Sequence, residues 1–358
     1  MTLPAQDTFR ETVDAALAEL KFQGGGMDLW SYEPWRALLL ANDWVRPKWS
    51  VPAWSAQKKH DWYSACHSTF ENFREPPELA DVGPTLVRWG NEAADEAIAQ
   101  IVDLSSQWAF CLFEPYAEDK VVFDGKGLSG QKYQVRDFNR AQHLLVVAED
   151  VLGSGYLLLH CLKDAPGIAA TMDAGLSGEA STCQVQFNDT PAIQILGHLP
   201  DVESLQELHF QTVAIFLGRS GALARQLELA ANEIDRQDLD ELRTRHAELS
   251  VEMLALQATE SRACVQESQS KTLRIPWSAL QAKGTALELK IGELLVDTFG
   301  YYALPYPDEI TLHNEGAIGH AASLKATRQM LLATEAINYA GLAGDLYDIA
   351  AVDMGIAS

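Results

Sequence analysis

Apolar residues recur at helical spacing at both ends of this chain, and between about residues 108 and 196 they give way to short strand-like runs. That segregation constrains the fold more than any other feature, because a βαβ alternation would interleave the two textures along the chain. The strand-like runs lie at 108–113, 121–123, 131–135, 143–148, 156–162, 168–172 and 183–187. Over 182–187, polar residues alternate with Cys183, Val185 and Phe187, the period of a half-buried strand. Short strands at this density predict a small barrel or sandwich. Past Pro200, the runs 205–236, 239–267, 277–299 and 320–337 have helical spacing and predict an antiparallel four-helix bundle. The expected class is α+β: an N-terminal all-α domain over 1–107, a β-domain over 108–200 and a C-terminal helical bundle over 201–358.

The N-terminal segment begins with Thr8 and Glu11 spaced as a capping box, and Phe9, Val13, Ala16, Leu17 and Leu20 share one helical face. Three glycines, Gly24 to Gly26, then stop the helix. Trp30, Trp35, Trp44, Trp49 and Trp54 follow, a series read as core and loop packing rather than a ligand box. Pro84 is placed to open a helix, and the acidic, Ala-rich run 92–104 continues the helical character.

A chain of 358 residues with 47% hydrophobic content and a mean hydropathy of −0.10 is globular in composition. Fifty acidic against 27 basic residues give a net charge of −23, which repels phosphate backbones and anionic membrane surfaces, so no nucleic-acid or membrane partner is expected. No apolar run is long enough to span a bilayer, and the first residues lack a secretory pattern, so the cytoplasm is the expected location. Cys66, Cys111, Cys161, Cys183 and Cys264 are scattered singly and read as small buried hydrophobes; no spacing suggests a metal site. Gly125, Gly127 and Gly130 match the dinucleotide-binding G-x-G-x-x-G pattern, but the residues that follow, 131–135, alternate like a strand. Pyrophosphate needs a helix N-terminus there, so a hairpin turn is the better reading.

The order of these segments acquires specific residues along nearly the whole chain. Asn42, Trp44, Pro47 and Trp49; Gly83, Pro84, Leu86 and Gly90; Phe113, Glu114 and Pro115; Asp124, Gly125, Gly130 and Lys132; Pro166 and Gly167; Val185, Phe187 and Asp189; Asp235, Arg236 and Gln237; Asp297, Gly300 and Tyr301; and Asn338, Tyr339 and Gly341 resemble, in order, the motifs of the acyl-CoA dehydrogenase family. The resemblance implies a helical, β, helical fold and FAD-dependent α,β-oxidation of an acyl-CoA thioester. In that chemistry a carboxylate removes the α-proton and the flavin accepts the β-hydride. It also implies a flavin shared across a subunit interface and an electron-transfer acceptor.

Departures from the family fall at its most functional positions. The two usual base positions are Ala340, which cannot accept a proton, and Gln211, a neutral amide. Glu207, one turn before Gln211, is the fallback base; its plainer reading is a solvated helix carboxylate. Residues 134–136 replace the strand motif that lies against the flavin ring, 116–119 replace a Gly-Ser-Asp run, and Leu342 and Leu346 stand where flavin-contacting Thr and Gln are usual. By resemblance, Arg236 would reach a neighbouring flavin's pyrophosphate. Asp297 and Gly300 would approach its adenine side, and Phe113, Glu114 and Pro115 would line a flavin. By resemblance, residues a subunit uses for its own flavin and substrate are lost, while some that it lends to a neighbour are kept. The expectation is a partner subunit that completes a heteromeric acyl-CoA dehydrogenase, with a bulky, steroid-like acyl group by analogy. A self-sufficient homo-oligomer using Glu207, or a flavin-free scaffold or acyl-CoA binding subunit, are the alternatives.

Overall fold

The computed structural model describes residues 6–23, 32–45, 54–70, 73, 75–173, 175, 182–213, 218–269, 275–304, 322–338, 350–351 and 354–356. The described residues form two compact units, neither continuous in sequence. One draws on 31–54 and 74–215, the other on 1–30, 55–73 and 216–358.

The first unit contains α2 (Tyr32–Ala41), a π-helical turn (Glu78–Val82) running into α4 (Gly83–Trp89), α5 (Asp95–Val102), eight strands and α6 (Val202–Val213). Pro84 sits in the first turn of α4, where its missing N–H costs nothing. The strands are β1 (Trp108–Cys111), β2 (Val122–Phe123), β3 (Leu128–Arg136), β4 (His143–Asp150), β5 (Tyr156–Leu162), β6 (Ile168–Met172), β7 (Thr182–Thr190) and β8 (Gln194–Leu199). They form one sheet in the order β6-β7-β3-β2-β4-β5-β8, with β1 parallel to β4. Leu144, Val146, Leu159, Cys161, Cys183, Val185 and Phe187 belong to its core. In β7 the expected alternation holds: Cys183, Val185 and Phe187 are buried and Gln186 is exposed. The glycine pattern at 125–130 spans the turn and antiparallel pairing of β2 with β3, so no helix follows it.

The second unit packs α1 (Gln6–Gln23), α3 (Ala56–Thr69), α7 (Ser220–Gln237), α8 (Asp240–Ser268), α9 (Trp277–Phe299) and α10 (Ser323–Asn338). Leu223, Leu227, Leu249, Met253, Leu287, Ile291 and Leu294 are part of its core. Trp35, Trp44 and Trp54 are buried, as packing residues should be; Trp30 and Trp49 lie outside the described residues. All five cysteines are buried free thiols.

Three details differ from expectation. The helix expected over 205–236 is two helices, α6 and α7, which belong to different units. At the start of α7, Gly218 has φ +81°, its N–H donates to Glu260 (2.7 Å), and a Cβ there would land on the Ser64 backbone nitrogen. Periodicity cannot see that break, because the apolar spacing continues across it. An eighth strand, β8, pairs with β5 beyond the last expected run. Finally, α1 is already helical at Gln6, so Thr8 lies inside its first turn rather than capping it.

Candidate functional site

β1 is buried along its whole length and delivers Leu112, Phe113, Glu114 and Pro115 to the end of the sheet. The Phe113 carbonyl accepts the Tyr133 N–H (2.8 Å), which lays this segment against β3. Glu114 is an internal anchor. One carboxylate oxygen accepts from the Val121 N–H (2.9 Å) and from Lys132 Nζ (2.7 Å). Lys132 is itself fully buried and also donates to the Leu112 carbonyl (2.8 Å). Burial pushes the Lys132 ammonium down, and the Glu114 charge opposes it. The arrangement fixes the backbone of Phe113–Pro115 and engages one Glu114 carboxylate oxygen in internal contacts.

Further along β3 the ladder shifts register between Lys132 and Val135, with Gln134 at φ +53°. Arg136 then donates to Asp81 (2.6 Å), and Arg140 grips Glu78 through two bonds of 3.0 Å each. Tyr32 donates to the same Glu78 carboxylate (3.2 Å), and the Arg140 guanidinium lies 4.4 Å from the Tyr32 ring centre. Burial pushes the carboxyls of Glu78 and Asp81 up, against the pull of their arginines. Burial, then Glu78, pushes the Tyr32 phenol to about 12. Asp81 also leaves one buried oxygen without a hydrogen-bond partner. Sequence reasoning missed this cluster. Its signal was three carboxylates, Glu75, Glu78 and Asp81, in a Pro-rich segment otherwise bound for burial.

Glu207, the fallback base, lies on α6 in an ion pair with Arg88 of α4, and both side chains are about half exposed. Gln211 is in the next turn of α6, while Ala340, Leu342 and Leu346 lie outside the described residues.

Arg236, Asp297 and Gly300 come together at one end of the bundle unit. Gln237 Nε2 donates to the Thr298 carbonyl (3.5 Å), which joins the end of α7 to the end of α9. Gly300 closes α9 with φ +52° and ψ −126°, its N–H donating to Val296, and no atom crowds a Cβ there. The backbone conformation, rather than space, therefore favours glycine. Arg236 is 64% exposed, and Glu233 engages its Nε (2.9 Å) and Nη2. A guanidinium has five N–H donors, so this pairing leaves three for a phosphate. Asp297 is held by Arg245 (2.6 Å), which also donates to Glu293 (3.0 Å). Arg243 gathers Asp235, Asp238 and Asp240 beside them. The donor set at Arg236 fits a pyrophosphate contact; the acidic surroundings of Asp297 fit an anion poorly. Phe113–Pro115 lie in the other unit.

Among the described residues, no group of three or more His, Cys, Asp or Glu side chains could hold a metal. Nor is any described helix long and apolar enough to cross a membrane.

No family model matches the chain, and no curated protein matches it. Among solved structures, PigA with FAD and proline matches with TM-score 0.77 at 15% identity, over 99% of this chain and 99% of that one. The Tcur3481–Tcur3483 steroid ACAD matches with TM-score 0.76 at 15% identity, over 100% and 99%. The ChsE4–ChsE5 complex from Mycobacterium tuberculosis matches with TM-score 0.75 at 16% identity, over 98% and 97%. The chain is an α+β protein with the acyl-CoA dehydrogenase fold.

Proposed function

We propose that this chain is the non-catalytic subunit of an FAD-dependent acyl-CoA dehydrogenase, completing a flavin site together with an unlike, catalytic subunit in the cytoplasm. One observation carries the reading: the fold matches acyl-CoA dehydrogenases end to end, yet Gln211 and Ala340 stand where the base is expected. A neutral amide and a methyl group cannot take the α-proton of an acyl thioester. When bound, FAD supplies the hydride acceptor. This chain's part is to hold it: Arg236 through phosphate, Asp297 and Gly300 near the adenine side, and Phe113, Glu114 and Pro115 along a flavin, with Glu114 acting through the buried Lys132 anchor. The names of two similar structures, a steroid ACAD and a complex of ChsE4 with ChsE5, support an unlike partner and a bulky, steroid-type acyl-CoA. Electrons would leave to a separate acceptor protein. The segments 1–107, 108–200 and 201–358 serve as the working domain division.

A second reading, a flavin-free scaffold, draws on a specific observation: Glu114, Arg236 and Asp297 each have an ion-pair partner inside the chain. A self-sufficient dehydrogenase is the weakest of the three, because its fallback base Glu207 is half exposed and tied to Arg88. The absorbance spectrum of the purified chain, alone and co-expressed with a dehydrogenase-like partner, decides among them. Flavin bands at about 370 and 450 nm only in the pair are expected. Stoichiometric flavin on the chain alone would overturn the partner reading, and no flavin under either condition would favour the scaffold.

A further inference from the structure

Strands β4 and β5 carry two histidines on one face of the sheet. Leu145 lies directly opposite His160 in the ladder, and His143 stands two residues before Leu145, so the two imidazoles are diagonal neighbours. His143 Nδ1 and His160 Nε2 are 3.0 Å apart. Trp108 packs against both rings, with 4.9 and 4.7 Å between ring centres, and its own Nε1 donates to Ser106 Oγ (2.8 Å). The indole is buried while both imidazoles are partly exposed, so the pair rests on a fixed ring and keeps contact with solvent. His60, His198 and His246, by contrast, are engaged singly, by carboxylates or by a backbone carbonyl.

We infer that His143 and His160 form a two-nitrogen site for a divalent transition-metal ion of the copper class, with water in the remaining positions. The donor chemistry excludes magnesium and calcium, which take oxygen ligands, and suits copper, nickel and zinc. The spacing then chooses among these. Two nitrogens that each lie about 2.05 Å from one ion stand about 2.9 Å apart when cis in a square and about 3.3 Å apart in a tetrahedron. The observed 3.0 Å fits the square arrangement that Cu²⁺ and Ni²⁺ prefer and is short for tetrahedral zinc. A hydrogen bond between the rings holds the pair together in the free protein. To bind, the protons sit on His143 Nε2 and His160 Nδ1, and both rings turn about their Cβ–Cγ bonds until the lone pairs meet at one point. Both rings are neutral before and after, so no net proton is released. The net charge of −23 draws cations towards the surface. Among the described residues no third His, Cys, Asp or Glu completes the set, so the ion keeps open positions and exchanges with solvent.

The test uses the full-length chain without flavin, so its outcome is independent of the proposed function. Copper(II) chloride is titrated in at about pH 7.5, where an ordinary imidazole is mostly neutral. Because the five native cysteines are buried, thiols do not compete for the ion. Calorimetry should show Cu²⁺ bound at this pair, and the electron spin resonance spectrum should be tetragonal with two nitrogen ligands. His143→Gln and His160→Gln keep a hydrogen-bonding side chain, and each should weaken binding at least about tenfold, since loss of even an outer-shell partner costs that much. Unchanged affinity in both variants, or a spectrum with fewer than two nitrogens, would overturn the site. Tighter binding of Zn²⁺ than of Cu²⁺ would overturn the cis arrangement. A readout on the native chain guards against variants that unfold: substoichiometric Cu²⁺ should broaden the imidazole NMR resonances of His143 and His160 before those of any other histidine. Earlier broadening elsewhere would place the ion at another site and end the proposal.

Discussion

Glu78 and Arg140 meet through two hydrogen bonds of 3.0 Å, with the carboxylate wholly buried at the π-helical turn and the arginine in the turn between β3 and β4. Removing only the arginine strands a buried charge. Arg140→Leu should therefore cost about 3–5 kcal/mol in urea unfolding, while Glu78→Leu with Arg140→Leu should cost distinctly less than the single change. Equal losses in the two variants would show that packing around Arg140, and not the ion pair, is what matters.

His143 and His160 share a hydrogen bond of 3.0 Å, and Trp108 packs against both rings. Burial, followed by the charge of His143, pushes the His160 imidazole down to about 4. A histidine whose folded pKa lies below its unfolded value stabilises the fold above about pH 6.5. That contribution is lost progressively as pH falls from 6.5 towards 4. Imidazole NMR resonances should show His160 neutral at pH 5.5, and His160→Gln should flatten the acid limb of the stability curve. A His160 that titrates near 6.5 would remove the basis for this prediction.

At Gly218, φ is +81° and a Cβ would land on backbone. Gly218→Ala should then lower stability by at least ~2 kcal/mol, combining left-handed strain with the displaced contact. Gly300→Ala meets no atom within 4 Å, so it should cost only the strain of a backbone at φ +52° and ψ −126°, about 1–3 kcal/mol. Chemical denaturation of the two variants side by side separates conformation from space.

In the co-expressed pair, Arg236→Ala should reduce bound flavin several-fold if Arg236 makes the phosphate contact proposed for it. Glu207→Gln should leave both flavin content and turnover unchanged if the base belongs to the partner. Abolished turnover with flavin retained in Glu207→Gln would instead make this chain the catalyst.

Much of the fold could be read in the chain itself. The change of period at Trp108, the alternation over Cys183–Phe187 and the bundle helices are local properties, since burying one face of a helix or strand imposes its own spacing on the sequence. Trp35, Trp44 and Trp54 were legible as core because large aromatic side chains serve packing far more often than a ligand box. The break at Gly218 was not, because the contacts that enforce it, with Ser64 and Glu260, lie far away along the chain. Of the candidate site, Arg236, Asp297 and Gly300 could be proposed from motif order, but their ion pairs could not. Glu233 is one turn from Arg236 and could equally have pointed elsewhere, and Arg245 reaches Asp297 from another helix.

Sequence alone determined the element order, the β-domain between helical segments, the acidic surface and the lack of a carboxylate at Gln211 and Ala340. Each follows from which residues are present and at what spacing. Only the tertiary structure decided which charges are already satisfied: Glu114 by Lys132, Glu78 by Arg140, Glu207 by Arg88. Pairing depends on distances between residues far apart in the chain, and burial then sets how much each pair is worth.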